Sequence, residues 1–321
     1  MAFKKTELFM NNINKALSLT LTALVSTAAV ADDKSTDEFS FGGRVEAQGF
    51  LTDSHYSDEF TGRLHGQGKY QLNDAITAVG KLELESELTS FSSDKSFSDY
   101  TRYAYAGVET AYGALTYGTQ DNAVTYLTDF TDMAEVYSGY TNSNIAASDD
   151  RAKDTLLYSV TKGDFKFNAS ANFEESEKGG GVMLAYQLRP DVELSAGYAT
   201  TEATEFFSDS SEVYMLGASY TKDGFLLSGL VQKGTVFDDD FNAVDAFASY
   251  GFGDNTVSLS YNYLSADARE NLDINFLAVE YGRYFGGVAL YTGYKVALGS
   301  DTSASVGKSA DEFMLGARYE F

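Results

Sequence analysis

The feature that most constrains this chain is a recurring segment of about ten residues in which apolar and polar side chains alternate. Residues 165–173 (FKFNASANF) place Phe or Ala at every odd position and Lys, Asn or Ser at every even one. Residues 257–263 and 313–321 repeat the pattern. Because successive side chains of a β-strand point to opposite faces, a period of two predicts strands with one apolar and one polar face.

Two kinds of connection separate these segments. Short ones, such as Asp223-Gly224 and Gly253-Asp254, contain the residues of tight hairpin turns. Long acidic ones, such as residues 201–212 and 265–273, alternate with them along the chain. Short turns on one side and long loops on the other predict an antiparallel up-and-down meander.

The polar face of the segments decides between a soluble sandwich and a membrane barrel. A sandwich buries its apolar faces in one core, but here the other face carries Arg, Lys and Glu in mid-strand. Apolar residues outside and polar residues inside are typical of transmembrane barrels, which must close because lipid cannot satisfy a free sheet edge. The predicted fold class is therefore all-β, a transmembrane antiparallel up-and-down β-barrel of about 16 strands. A barrel of that size leaves an aqueous channel.

Composition removes several functional classes. The 321 residues include 23 Lys+Arg against 47 Asp+Glu, and this net charge of −24 disfavours binding to nucleic acid. With no Cys and only 2 His, disulfide scaffolds, thiolate nucleophiles and His-rich metal centres are disfavoured. We expect no enzymatic activity, no nucleic-acid partner and no cofactor.

Residues 1–31 have the three parts of a cleavable signal peptide. Residues 1–15 contain three Lys and are followed by the apolar run of residues 16–25. Ala29-Val30-Ala31 then offers a cleavage site. Residues 32–321 are then expected to form a single barrel domain.

One connection differs from the others. Residues 119–150 run without strand periodicity, and a loop of that length is usually functional. Its apolar and aromatic residues are Tyr126, Phe130, Met133, Val136, Tyr137, Tyr140 and Ile145. Such a segment needs a surface to pack on. We therefore expect this long third loop to fold into the lumen and constrict the channel.

Three short motifs follow one another at a specific spacing: residues 101–107 (TRYAYAG), 113–118 (GALTYG) and 131–135 (TDMAE). Phe321 closes the chain, with Tyr319 two residues before it. With these motifs the chain resembles the general, nonspecific, trimeric porins of the Gram-negative outer membrane, whose sequences read TRLAFAG, GSxxYGR and TDxLPEFGG. The resemblance covers essentially all of residues 32–321.

The resemblance implies passive diffusion of ions and small hydrophilic solutes through a water-filled channel. It also implies a homotrimer that crosses the cell outer membrane many times, contacts lipid and lipopolysaccharide, and presents Phe321 to the barrel assembly machinery. Carried over residue by residue, it implies a basic side of the constriction on the barrel wall, formed by Arg44, Arg63, Arg102 and Arg151. The acidic side that it implies consists of Asp132 and Glu135 on the loop and Glu83 on the wall.

Strand periodicity supports the arginine positions independently. Arg63 shares a polar face with His65, and a charged side chain facing lipid at mid-membrane costs about 2–4 kcal/mol. Arg102 is therefore expected to face the lumen, and its neighbours Tyr103 and Tyr105 to face lipid. Opposed charges across a narrow gap would set up a transverse field that orients polar solutes.

Much of the excess negative charge falls in the connections, among them Asp53, Asp58 and Glu59. A solvated surface is the ordinary role of such residues. Two functional alternatives stay open. One is a negative vestibule that makes the channel weakly cation-selective at low salt. The other is loop-bound Ca²⁺ or Mg²⁺ bridging to lipopolysaccharide phosphates.

Other functions fit parts of the sequence. A substrate-specific sugar channel would need a ladder of lumenal aromatics, for which Phe247 and Tyr291 are candidates. A barrel enzyme would need a nucleophile beside a His, but His55 is interpreted as a surface residue and His65 as a pore-lining one. An adhesin or anchor barrel would leave the arginine cluster unexplained.

Overall fold

The computed structural model describes residues 37–53, 55–91, 94–141, 151–174, 178–203, 210–236, 239–267, 273–298 and 310–321. The expected signal peptide, residues 1–31, lies outside these ranges and stays a prediction. So does the part of the long third loop from residue 142 to residue 150. Across the described ranges, no helix is both long enough and apolar enough to cross a membrane.

Sixteen antiparallel strands close into one barrel, which confirms the predicted fold class. Each strand pairs with its sequence neighbours, and β1 pairs with β16 in a register that sets Ala47 opposite Ala317. The strands are β1 (Glu38–Leu51), β2 (Tyr56–Asn73), β3 (Ile76–Phe91), β4 (Asp94–Thr110), β5 (Gly113–Asp121), β6 (Arg151–Lys162), β7 (Phe165–Asn172), β8 (Gly179–Arg189), β9 (Val192–Thr201), β10 (Ser211–Lys222), β11 (Phe225–Val236), β12 (Asp239–Phe252), β13 (Asn255–Ala266), β14 (Ile274–Phe285), β15 (Val288–Ala297) and β16 (Glu312–Glu320).

Tight turns join the strands at one end of the barrel. The turn between β10 and β11 places Asp223 at φ 51° and Gly224 at φ 81°, the left-handed pair that a two-residue hairpin turn prefers. Outer-membrane barrels keep short turns on the periplasmic side and longer loops outside. We therefore call the tight-turn end the periplasmic end and the other end the outer end; the connection between β5 and β6 starts from the outer end.

Side-chain alternation separates a lumenal face from an outer face. On β14, Phe276 and Glu280 point into the barrel and are buried, whereas Leu277 and Val279 lie on the exposed outer face. Large exposed apolar side chains recur on the outer faces of strands around the barrel. This is the arrangement that lipid requires, since the apolar side chains face hydrocarbon and the polar ones face the lumen.

The described part of the connection between β5 and β6, residues 122–141, lies inside the barrel. We call it the inner loop; it contains one short helix, α1 (Thr125–Thr128). Val124, Leu127 and Tyr137 of this loop are completely buried. The main apolar core therefore lies between the inner loop and the strands it packs on, and the expected folding of the long third loop into the lumen is confirmed.

Candidate channel constriction

The first half of the inner loop is bound to strands β7, β9 and β11, the last through the Ser228 hydroxyl, which donates to the Phe130 carbonyl oxygen. The backbone N–H of Ala123 donates to Ser170 Oγ on β7 at 3.0 Å. The Tyr126 hydroxyl donates to Glu193 Oε1 on β9 at 2.6 Å. Glycine at position 197 of β9 makes room for α1, because a Cβ there would lie 3.2 Å from Val124 Cγ1.

The tip of the inner loop is held by one carboxylate of β14. Glu280 accepts the backbone N–H groups of Glu135, Val136 and Tyr137, at 2.9, 3.1 and 2.6 Å. Three successive N–H groups converging on one anion form an anion-binding concavity of the kind that successive backbone amides provide. Glu280 is 5% exposed, so this contact fixes the tip by charge-assisted hydrogen bonds.

A buried lysine holds the tip from the neighbouring strand. Lys295 on β15 is completely buried, and its Nζ lies 3.4 Å from Glu312 Oε1 on β16. The same Nζ lies 5.5, 6.0 and 5.6 Å from the ring centroids of Tyr137, Tyr140 and Phe276. Three aromatic faces around an ammonium group favour the cation. The ion pair and the rings together anchor the loop to β14–β16.

Tyr137 links the loop to the same carboxylate. Its hydroxyl donates to Glu312 Oε1 at 3.1 Å. Burial, together with the charge of Glu312, raises the pKa of the Tyr137 phenol well above its usual value. The phenol therefore keeps its proton and remains a donor.

The loop then turns back across β13 to β12 and β11. The Tyr140 N–H donates to Asn262 Oδ1 at 3.0 Å, and the Thr141 hydroxyl donates to Asp245. Gln232 Nε2 donates to Thr141 Oγ1 at 2.8 Å. The inner loop thus covers a wall that extends from β7 to β16. The lumenal faces of β1–β4 form the opposite wall of the remaining passage.

Arginines on the wall of β1–β4 are paired with carboxylates of the same wall. Arg63 on β2 binds Glu85 on β3 through its Nε. Arg102 on β4 binds Glu83 Oε1 at 3.0 Å through Nε and Glu85 Oε2 at 3.3 Å through Nη1. Lys81 Nζ adds a contact of 3.1 Å to Glu83 Oε2. Positive and negative groups therefore alternate along this wall.

The alternation continues from β1 to the inner loop. Arg44 Nη2 lies 3.0 Å from Glu46 Oε2, and Arg318 on β16 lies 3.6 Å from Glu46 Oε1. Arg318 also binds Glu135 of the inner loop, and the Tyr284 hydroxyl donates to Glu135 Oε1 at 2.8 Å. The loop acid thus contacts the wall through Arg318.

The structure places the predicted acidic residues in three different settings. Glu83 lies on the wall, as the resemblance implies, but it contacts Arg102 there and does not face the arginines across the passage. The reason is register, since β3 runs between the strands that carry Arg63 and Arg102. Glu135 contacts Arg318, which is not among the predicted residues of the constriction. Asp132 is exposed and accepts a hydrogen bond from Ser138 Oγ at 3.3 Å.

The expectation that Tyr103 and Tyr105 face lipid is also wrong. The β3–β4 register shifts at Glu83, which pairs with Tyr103, while Leu84 pairs with Thr101. Arg102 is therefore the extra residue of a β-bulge, and a bulge breaks the period of two. Because Tyr103 and Tyr105 pair with the lumenal Glu83 and Lys81, both tyrosines point into the passage together with Arg102.

Arg151 joins the cluster through one of these tyrosines. Its guanidinium lies 5.2 Å from the Tyr103 ring centroid, and Nη1 lies 3.4 Å from the Tyr103 hydroxyl. Lys81 Nζ lies 3.6 Å from the same ring centroid. Arg44 on β1, Arg63 on β2 and Arg102 on β4 are brought together on one wall, and Arg151 is connected to them indirectly through Tyr103.

A cavity of about 430 Å³ opens beside this cluster. Arg44, Arg63, Glu83 and His65 are among its lining residues, so the structure agrees with the interpretation of His65 as a lumenal side chain. In the ranges that the structure describes, no group of three or more His, Asp or Glu is arranged to hold a metal ion.

Three residues of the cluster were missed from sequence, namely Lys81, Glu85 and Arg318. A signal for each was present. Residues 81–85 (KLELE) put Lys81, Glu83 and Glu85 on one face by simple alternation. Arg318 alternates with the apolar residues that end the chain and therefore belongs to the lumenal face of β16.

A closed barrel with an apolar outer face, a charged lumen and a loop folded inside it defines the class of outer-membrane channel barrels. Comparison with known proteins agrees. The family model described as Gram-negative porin matches residues 18–302. Porin-like protein L of Photobacterium profundum is 32% identical over 335 aligned residues, covering 92% of this chain and 95% of that protein.

Two solved structures share the fold. OmpF of Salmonella typhi, in complex with daunomycin, superposes with a TM-score of 0.80 at 18% identity, covering 89% of this chain and 98% of that one. In-vitro folded OmpT of Vibrio cholerae, in its trimer form, gives a TM-score of 0.69 at 18% identity, covering 89% and 99%. The chain described here belongs to the Gram-negative porin family and is an outer-membrane protein.

Proposed function

We propose that this porin passes ions and small hydrophilic solutes by passive, general diffusion. The observation that carries the proposal is the passage between the anchored inner loop and the charged wall of β1–β4. The inner loop is bound to the strands that it covers, on the side of the lumen away from the β1–β4 wall, so it narrows the lumen without filling it. We include in this proposal that the arginine cluster lines the constriction of the channel. We propose no enzymatic activity.

The direct test is single-channel recording of the detergent-purified protein in a planar bilayer. We expect large ohmic current steps and no saturation with salt concentration. Liposomes containing the protein should also swell in small neutral sugars at rates that fall with solute size. Correctly folded, heat-modifiable protein that gives no current would contradict a diffusion channel.

We propose that the chain forms a homotrimer. The proposal is supported by family membership and by the trimer form of the Vibrio cholerae OmpT structure, which shares this fold. Closure of bilayer currents in groups of three equal steps is the expected signature. Uniform single steps, together with a monomer mass in mild detergent, would contradict it.

We propose weak cation selectivity at low ionic strength. Asp53, Glu202 and Asp240 are exposed at the loop end, and the arginines of the wall are neutralised by neighbouring carboxylates. Salt screens exposed charges, so the preference should fade as ionic strength rises. The reversal potential in a KCl gradient measures it, and a chloride preference at low salt would contradict the proposal.

A solute-binding sugar channel is the second candidate, and one observation favours it. Tyr100, Tyr103 and Tyr105 line the β4 wall, where the Tyr100 hydroxyl donates to Glu85 and that of Tyr103 to Asp121 at 2.9 Å. Aromatic faces beside ion pairs can hold a sugar ring. Current block that saturates with added oligosaccharide would favour this function, whereas unchanged current favours general diffusion.

We also propose that exposed acidic loop residues bind Ca²⁺ or Mg²⁺ and bridge to lipopolysaccharide phosphates. Hard divalent cations prefer oxygen ligands, and the outer end of the barrel offers many carboxylates. Co-purification of lipopolysaccharide that is lost on chelation with EDTA would support this. Retention of lipopolysaccharide after chelation would contradict it.

A further inference from the structure

Arg44 and Arg63 pair across β1 and β2 and begin a row of wall arginines, which we call the arginine row. Three carboxylates lie on adjacent strands, next to this row on the side of the outer end of the barrel. Glu46 on β1 and Glu87 on β3 both pair with Thr61 on β2, and Glu59 is two residues further toward the outer end of β2. Paired residues of neighbouring strands leave the sheet on the same face, so these side chains share the lumenal face with Arg44 and Arg63. The expectation that Asp58 and Glu59 lie in a connection is wrong, because β2 begins at Tyr56.

The carboxylates differ in how they are neutralised. Glu46 contacts Arg44 and Arg318 and accepts a hydrogen bond from Tyr291 at 2.5 Å. Among the described residues, Glu59 and Glu87 have no basic side chain within ion-pair distance. Glu85 and Glu83, two and four residues before Glu87 on β3, are both paired with arginines. The wall therefore has excess negative charge directly outside its arginines.

The residue between these carboxylates is itself unsatisfied. Thr61 is 5% exposed, and its hydroxyl oxygen has no hydrogen-bond partner among the described residues. A buried hydroxyl without a partner is unfavourable, so this oxygen is expected to be satisfied by something other than the described residues. The position of Thr61, in register with Glu46 on one side and Glu87 on the other, aims it into the acidic group.

We propose that Glu46, Glu59, Glu87 and Thr61 form a cation-holding step on the pore wall, between the outer mouth and the arginine row. The step takes small hydrated cations such as K⁺ or Ca²⁺. It holds them by charge and through water, because the described carboxylates are not arranged to chelate a metal. The inference rests on the proposed diffusion function and assigns its cation preference to the inside of the channel.

The physical consequence concerns where ions are discriminated. A cation that enters from outside meets the step before it meets the arginines, about 7 Å further along the strands at two residues of rise. An anion meets the same carboxylates as a barrier. Low-dielectric walls focus the field in such a passage, so two unpaired wall charges should influence selectivity more than the same charges at the open mouth.

The test compares reversal potentials of two double variants in low-salt KCl gradients. Glu59→Gln with Glu87→Gln removes two charges from the step with little change in size. Asp239→Asn with Asp240→Asn removes two charges from the outer end of β12. A carboxylate about 7 Å from a passing ion in water changes the channel's preference for that ion about two- to threefold. Removing two carboxylates should therefore move the K⁺/Cl⁻ permeability ratio of the step variant toward chloride by about fourfold or more. The mouth variant should shift the ratio less than the step variant.

Calcium supplies a second measurement. Millimolar Ca²⁺ should reduce the K⁺ current of the wild-type channel and have a weaker effect on the step variant. An unchanged permeability ratio in the step variant, or an equal shift in both variants, would overturn the inference while leaving the diffusion function intact. Silence of the folded wild-type protein would instead overturn the diffusion function on which the step rests.

Discussion

Buried charged side chains fix the position of the inner loop at the residue scale. Glu280 and Lys295 are both almost inaccessible, yet each has partners that compensate for loss of water. Glu280 receives backbone donors, whereas Lys295 receives a carboxylate and three aromatic rings. Removing one member of such a set leaves the others buried and unsatisfied, which costs more than the contact itself stabilises.

Glu280→Gln tests the anchor of the loop tip. The amide group of Gln keeps one acceptor oxygen and turns an NH₂ group toward backbone donors, and each hydrogen bond to a charged group contributes about 1.5–3 kcal/mol. We expect the tip to open at least tenfold more often, seen as increased open-channel current noise. Glu109→Gln is the control, because Glu109 forms an exposed pair with Lys69 at the periplasmic end. Equal noise in the two variants would contradict the anchor.

Lys295→Met tests the buried lysine. Breaking a buried ion pair costs about 3–5 kcal/mol, so the folded form should unfold at a clearly lower temperature in a heat-shift electrophoresis assay. Adding Glu312→Gln removes the carboxylate that the first substitution leaves without its ammonium partner and should recover part of the loss. The pair has no stabilising role if the single variant unfolds at the wild-type temperature.

At the scale of elements, the predictable part of the fold follows from alternation. The period of two predicted β7 and β13, and it placed Arg63 on the lumenal face. The tight turn at Asp223-Gly224 has the expected left-handed conformation. Such a rule holds only where the strand is regular, and the bulge at Arg102 reverses it for Tyr103 and Tyr105.

The unpredicted part of the site depends on which elements become neighbours. Arg318 lies at the end of the chain and meets Glu135 only because β16 closes onto β1 and the inner loop reaches across to it. Separation of charge onto two opposed sides was expected, but register places Glu83 and Glu85 between the arginines. Sequence spacing along one strand does not contain this information about adjacent strands.

Gly197→Val tests how the inner loop packs on β9. A side chain at this position would press on Val124 and Leu127, since even a Cβ would be 3.2 Å from Val124 Cγ1. Overpacking costs about 1–3 kcal/mol, and the loop can relieve it only by moving toward the β1–β4 wall. Single-channel conductance should therefore fall. Gly229→Val is the control, because a Cβ there would contact only Asp245 O at 3.7 Å; an equal fall in both variants would contradict the packing argument.

At the scale of the whole molecule, closure of the barrel joins the two ends of the described chain. The Gly43 N–H donates to Phe321 O at 2.9 Å, and the Phe321 N–H donates to Gly43 O at 3.0 Å. These backbone bonds do not depend on the Phe321 side chain, which is 56% exposed. The side chain is thus available for a different purpose, and recognition by the assembly machinery stays a prediction.

Phe321→Ala separates assembly from stability. Because both backbone bonds remain, the purified barrel should unfold at nearly the wild-type temperature, while its level in the outer membrane of growing cells should drop severalfold. Phe252→Ala removes another exposed aromatic ring from the outer face and serves as the control. Normal outer-membrane levels of the Phe321 variant would contradict recognition of the terminal residue.

Solutes are proposed to pass between the inner loop and the wall of β1–β4. Since the chain has no Cys, single cysteines can be modified without background. We would record channels of Arg63→Cys and Leu64→Cys during addition of a charged methanethiosulfonate reagent. Conductance should change stepwise for Arg63→Cys and stay constant for Leu64→Cys, which lies on the outer face of β2. Unchanged conductance of Arg63→Cys after verified labelling would mean that solutes do not pass along this wall.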